Sequence, residues 1–116
     1  MHAPTLPFTL PLIAILRGIT PDEAHAHVGA LVDEGYDAIE IPANSPAWTR
    51  SVRVATDAFG DRALIGAGTV LTTADVDALV AAGGRLMVTP NTRPPVIRHA
   101  VDRGLHVAAG VATASE

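Results

Sequence analysis

The 116-residue sequence predicts an α/β fold in which strands of a parallel sheet alternate with helices, on the strength of three observations. Short apolar runs recur along the chain, and each is closed by glycine, arginine or proline. A capping residue and a stripe of apolar side chains at helical spacing follow each of the first four. The strand-and-helix pair repeats about every 20 to 26 residues, the rhythm of β/α units with short, right-handed connections.

The first run, Leu12 to Leu16, is continuously apolar, as in a strand buried on both faces, and it ends at Arg17-Gly18. Thr20-Pro21-Asp22-Glu23 then combines an N-cap threonine, proline at the first helical position and glutamate three residues after the cap. Ala24, Val28, Leu31 and Val32 form the apolar face of that helix, and Gly35 ends it. The second unit is a strand from Ala38 to Ile41, Ser45-Pro46 as cap and first turn, and a helix carrying Trp48, Val52, Ala55 and Phe59 up to Gly60. The third runs from Leu64 to Gly68, then from a Thr72 cap through Val76, Leu79 and Val80 to Gly83. The fourth strand is Leu86 to Thr89, stopped by Pro90, and its helix spans Pro94 to Arg103 with Val96, Ile97, Ala100 and Val101 on one face. A fifth strand, Leu105 to Ala108, runs into Gly110, and Thr113-Ala114-Ser115-Glu116 reads as one more capping box.

Periodicity alone does not separate an open doubly wound sheet from a barrel. Small residues inside the strands, Ala14, Ala38, Gly66 and Gly68, suit a crowded barrel interior. The expectation is therefore a (β/α)8 TIM barrel, of which residues 1–116 supply the first five strands and four helices as the N-terminal part of a single domain. A closed eight-stranded barrel typically needs roughly 250 residues.

Composition narrows the function. Hydrophobic residues make up 48% of the chain and charged residues 17%, which describes a globular protein rather than a disordered one. A net charge of −4 without a basic run gives no electrostatic footprint for nucleic acid or an anionic membrane, so neither is expected as a partner. The absence of cysteine removes disulfides, thiolate metal sites and thiol catalysis, and suits a cytoplasmic setting. Met1 to Pro11 has neither the charge nor the apolar run of a signal peptide or membrane span. All eight basic residues are arginine, and the chain contains no lysine.

The tips of the five strands should converge on one mouth, bringing together Arg17, Glu40, Thr69, Thr89-Pro90-Asn91 and Gly110. Glu40 stands out because it lies between Ile39 and Ile41, where a carboxylate is costly to bury unless paired or neutral. Arg17 on the preceding strand could hold Glu40 as an oriented acid/base, or the two could form a purely structural ion pair. Gly66-Ala67-Gly68-Thr69 is not a dinucleotide fingerprint, since Leu71 stands where the third glycine belongs. Its glycines fit either close approach of a small anion, with the Thr69 hydroxyl as donor, or a tight barrel corner. His25 and His27 are two apart and His2, His99 and His106 are scattered, so no metal-ligand spacing arises and solvated histidines are expected. No Gly-x-Ser-x-Gly elbow is present. Trp48 fits the core stripe of its helix, with a substrate-facing role as the alternative.

Leu12 to Ala24, Glu40-Ile41-Pro42 with Asn44-Ser45-Pro46 and Trp48, Gly66 to Leu71, and Val88-Thr89-Pro90-Asn91 together resemble the KDPG/KHG aldolase family, in order and over nearly the whole chain. Arg17-Gly18 and the Glu-Ile-Pro-x-Asn-Ser-Pro segment point to its galactonate branch. The resemblance implies a homotrimeric (β/α)8 lyase that splits a six-carbon 2-keto-3-deoxy acid phosphate into pyruvate and glyceraldehyde 3-phosphate through a lysine Schiff base, without metal or cofactor. It implies that Glu40 is the catalytic acid/base, that Arg17 and Thr69 bind substrate, Thr69 at the pyruvate carboxylate, and that Pro90 walls the pocket. The family's Schiff-base lysine lies on the sixth strand and its phosphate-binding glycines follow the seventh and eighth, beyond Glu116. The expectation is thus a truncated aldolase that is inactive alone. A non-enzymatic half-barrel that pairs with itself or with a partner half is the competing reading, and an open-sheet nucleotide binder is a third, weakened by the failed glycine fingerprint.

Overall fold

The computed structural model describes residues 5–115. The order is β1 (Ala14–Ile15), α1 (Pro21–Asp33), β2 (Ala38–Pro42), α2 (Trp48–Phe59), β3 (Leu64–Gly68), α3 (Thr73–Ala81), β4 (Leu86–Thr89), α4 (Pro94–Asp102) and β5 (His106–Ala109). All neighbouring strands pair in parallel, in the spatial order β1-β2-β3-β4-β5. Each strand therefore lies beside its successor, with no reversal of order. Doubly wound sheets reverse at a switch point, whereas barrels do not.

Strand side chains alternate between two faces. Ile39 and Ile65 pack with Val28 and Val32 of α1 and Ala55 and Phe59 of α2. Ile41, Ala67 and Met87 pack with Val52, Val76, Leu79, Val96 and Ala100 from the later helices. Fully burying a side chain such as Ile39 or Leu79 contributes about 1.5 to 3 kcal/mol, so this layer carries much of the stability. The residues between them, Glu40 on β2 and Gly66 and Gly68 on β3, are left on the opposite, inner face. Register places Glu40 beside Gly66 and Pro42 beside Gly68.

Most element boundaries agree with the sequence pattern, and the exceptions trace to specific contacts. The first strand shrinks to Ala14–Ile15 because the segment before it is tied elsewhere: the Thr9 and Leu10 N–H groups donate to the Asp37 carboxylate at 2.6 and 3.2 Å. The fifth strand starts at His106, since the Leu105 N–H is taken by the Ala100 carbonyl at the end of α4. Ser45 does not cap α2. That helix begins at Trp48 after Ala47, which has φ +49°, and the Ser45 hydroxyl instead accepts from the Gly18 N–H at 2.9 Å. Thr20 and Thr72 do cap their helices as expected, with the Glu23 carboxylate accepting from the Thr20 N–H and hydroxyl and the Thr72 hydroxyl accepting from the Asp75 N–H. Thr113 to Ser115 lie in a bend and turn, and the expected capping partner Glu116, like His2, lies outside the described residues.

Among the described residues two strand edges are open. β1 pairs only with β2 and β5 only with β4, Ile15 on the β1 edge is 59% exposed, and such edges template further pairing. The purified 116-residue chain is accordingly expected to elute above its monomer mass of 11.9 kDa in size-exclusion chromatography with light scattering. A monodisperse 11.9 kDa species with a cooperative melt would contradict this.

Candidate active site

Because the strands are parallel, their carboxyl ends bring Arg17, Glu40, Thr69 and Pro90 to one side of the sheet. Glu40 is 3% exposed. Its carboxylate lies against Gly68, where a Cβ would overlap both oxygens, so only glycine leaves room for it at that position. A Cβ at Gly66 would likewise overlap the Leu86 carbonyl oxygen of β4. The two glycines of the Gly-Ala-Gly-Thr segment therefore serve close packing: Gly66 sets the β3–β4 approach, and Gly68 opens the slot for the acid.

The electrostatics follow from that burial. Loss of solvent pushes the Glu40 carboxyl up from 4.5 to about 7, against the smaller opposing pulls of the Arg17 charge and the Gly68 backbone N–H. Its Oε2 is buried without a hydrogen-bond partner. A buried polar atom left unpaired costs about 1 to 3 kcal/mol. A carboxyl in this state can both give and take a proton at neutral pH.

Arg17 does not form the direct ion pair that adjacent strand tips allowed. Its Nη1 donates to Asn44 Oδ1 at 2.9 Å, and its charge reaches Glu40 through space. Thr69 is half-buried directly after β3 with φ +53°, a left-handed conformation that strains a β-branched residue. Pro90 is exposed at the end of β4, where its neighbour Thr89 turns its hydroxyl to the Asn91 carbonyl at 2.7 Å. A cleft of about 300 Å³ opens beside Arg17 between β1 and α1, lined also by Glu23 and His27, but Glu40 does not border it.

Trp48 is half-buried against the core, in keeping with a packing role. His25 and His27 are exposed, as expected of solvated histidines. His99 is not: it hydrogen-bonds Asp77 at 2.7 Å, and Arg103 pairs with the same carboxylate, clamping α4 to α3. Among the described residues no group of histidine, aspartate and glutamate side chains could hold a metal ion, and no helix is long and apolar enough to cross a membrane. The sequence pattern missed the roles of Asn44 and Ser45. Ser45-Pro46 was legible as a helix cap and first turn, but not as part of the clip that fastens the β1 tip.

A buried acid lies at the strand tips of a sequentially ordered parallel sheet, and residues 8–116 match the family described as KDPG and KHG aldolase. The chain belongs to that family. It is 63% identical over 107 residues to the 2-dehydro-3-deoxy-6-phosphogalactonate aldolase of Escherichia coli strain K12, covering 92% of this chain and 52% of the relative. Identity to the probable 2-dehydro-3-deoxy-6-phosphogalactonate aldolase of Rhizobium meliloti strain 1021 is 53%, covering 97% of this chain and 53% of the relative. A solved structure described as native KDPGal superposes with a TM-score of 0.92 at 59% identity, covering 100% of this chain and 55% of that one. The KDPG aldolase of Legionella pneumophila, captured with pyruvate as a covalent carbinolamine intermediate, gives a TM-score of 0.82 at 27% identity, covering 90% and 50%. The chain thus spans about half the length of the curated relatives it matches, and its fold is part of their barrel.

The raised pKa of Glu40 has a thermodynamic consequence. Between 4.5, where Glu40 ionises in the unfolded chain, and about 7, where it ionises in the fold, the folded state holds a proton that the unfolded state has shed. Stability from this group is therefore full below the lower value, falls as pH rises through the window and levels off above the upper one. The loss amounts to about 3 kcal/mol. Glu23, Asp37 and Asp77 are held below their ordinary values and act at lower pH, outside the window. Urea denaturation from pH 4 to 8 should show this decline in the wild type and its loss in Glu40→Gln; an equal slope in both proteins would assign the effect elsewhere.

Proposed function

We propose that these residues form the acid/base half of a class I aldolase that cleaves 2-dehydro-3-deoxy-6-phosphogalactonate to pyruvate and glyceraldehyde 3-phosphate. The observation that carries this reading is Glu40: a buried carboxyl lifted to about 7, with one unpartnered oxygen, at the carboxyl ends of the strands in a chain of an aldolase family. In this role Glu40 gives a proton to the carbinolamine hydroxyl as water leaves, takes the substrate C4 hydroxyl proton as the carbon–carbon bond breaks, and delivers that proton to the enamine carbon that becomes the pyruvate methyl group. Arg17 and Thr69 hold the substrate, Thr69 at the pyruvate carboxylate, and Pro90 walls the pocket. The galactonate substrate is favoured by the high identity to relatives named for it. A trimeric assembly and a cytoplasmic location belong to the same reading.

The nucleophile must come from outside these 116 residues. They contain no lysine, and a guanidinium with a pKa above about 12 offers no free amine at neutral pH. By themselves they should therefore bind without turnover, as a half-barrel that associates through its open β1 and β5 edges.

A chimera tests the assignment. Residues 1–116 should replace the matching segment of the E. coli relative, and pyruvate release from 2-dehydro-3-deoxy-6-phosphogalactonate should be followed by coupled reduction. The chimera is expected to turn over, while Glu40→Gln within it lowers kcat by roughly 100-fold or more. A folded chimera that releases no pyruvate, or a fully active Glu40→Gln variant, would refute the assignment.

A further inference from the structure

We propose that Asn44 is a positioning residue, which holds the Arg17 guanidinium over the strand tips and so sets the charge felt by Glu40.

Three contacts support it. Asn44 Oδ1 accepts from Arg17 Nη1 at 2.9 Å. The neighbouring Ser45 hydroxyl accepts from the Gly18 N–H at 2.9 Å, so two consecutive residues of the loop after β2 grip two consecutive residues of the tip of β1. The gripping loop is itself fixed: the Ala43 N–H donates to the Gly68 carbonyl of β3 at 2.8 Å, and the Ser45 N–H donates to the Pro42 carbonyl at 2.9 Å. Asn44 is thus an acceptor on a turn pinned to three strands, two of them carrying Glu40 and the glycine beneath it.

Arg17 needs such a hold because its side chain is exposed. A free arginine side chain spreads over many rotamers, at an entropic cost of about 2 kcal/mol to fix, and its time-averaged charge at any one point falls accordingly. Docked on Asn44, the planar guanidinium spends one N–H on the amide and keeps the others for the mouth. Arg17 is the charged group that acts on Glu40; β3 contributes only Gly66, Gly68 and Thr69 beside it, and β2 no other ionisable side chain. The side-chain hydrogen bond of Asn44 goes to Arg17 and not to Glu40. Its influence passes through the arginine.

This role rests on Glu40 being the acid/base of the aldolase reading, but its test measures ionisation and not turnover. Titration of the Glu40 side-chain carbon by 13C NMR in the 116-residue chain should show a higher midpoint in Asn44→Ala than in wild type, by about half a unit, a roughly threefold weaker acid. Arg17→Gln should raise it at least as far. The double variant should match Arg17→Gln alone, because the amide has no path to Glu40 except the arginine. Asn44→Ser, which keeps a turn-forming residue but shortens the acceptor, should reproduce Asn44→Ala and replaces it if the alanine variant does not fold. An unchanged midpoint in the Asn44 variants, or additive shifts in the double variant, would overturn the proposal. An inactive chimera would sink the aldolase assignment and leave this coupling measurable.

Discussion

The contact between the Glu40 carboxylate and Gly68 is the constraint on which the site depends. A glycine on β3 removes the one atom that would otherwise fill the space, and the carboxylate occupies it, nearly dry. Desolvation then outweighs both nearby stabilising groups, the Arg17 charge and the Gly68 N–H. The outcome is a carboxyl whose two protonation states are close in free energy at neutral pH. An acid/base must be able to occupy both.

The rest of the fold serves to keep that group where it is. Alternation along β2 commits Ile39 and Ile41 to the helix-facing core, which obliges Glu40 to face the other way. The register of β2 on β3 sets the glycines beside it, and the loop after β2 fastens the tip of β1 through Asn44 and Ser45. Burial of the isoleucines thus fixes the acid on the inner face of the sheet. Shifting β2 by one residue would exchange the two faces and place the carboxylate in the hydrophobic layer.

The sequence carried the fold well because its punctuation is local: capping threonines and terminal glycines mark α1 and α3, first-turn prolines mark α1 and α4, and apolar runs mark the strands. Glu40 was legible too, as the one charge inside an apolar strand. What pattern could not supply were the long-range contacts. Ser45 carries the composition of a helix cap, and only the approach of the β1 tip turns its hydroxyl to Gly18. Arg17 and Glu40 on adjacent strands invite a direct pair, but Asn44 intercepts the guanidinium. His99 is half-buried on α4, where spacing along the chain gives no hint of Asp77 twenty-two residues earlier.

The most direct test of the account is the ionisation of Glu40 itself. Carbon-13 labelling of glutamate and titration of the wild-type chain should give a side-chain midpoint of about 7 for this residue. Glu23, which accepts from the Thr20 N–H and hydroxyl, should titrate below the ordinary carboxylate value. A midpoint for Glu40 at or below its unperturbed value of 4.5 would mean that the carboxylate is solvated or paired in the fold, and would contradict the central claim.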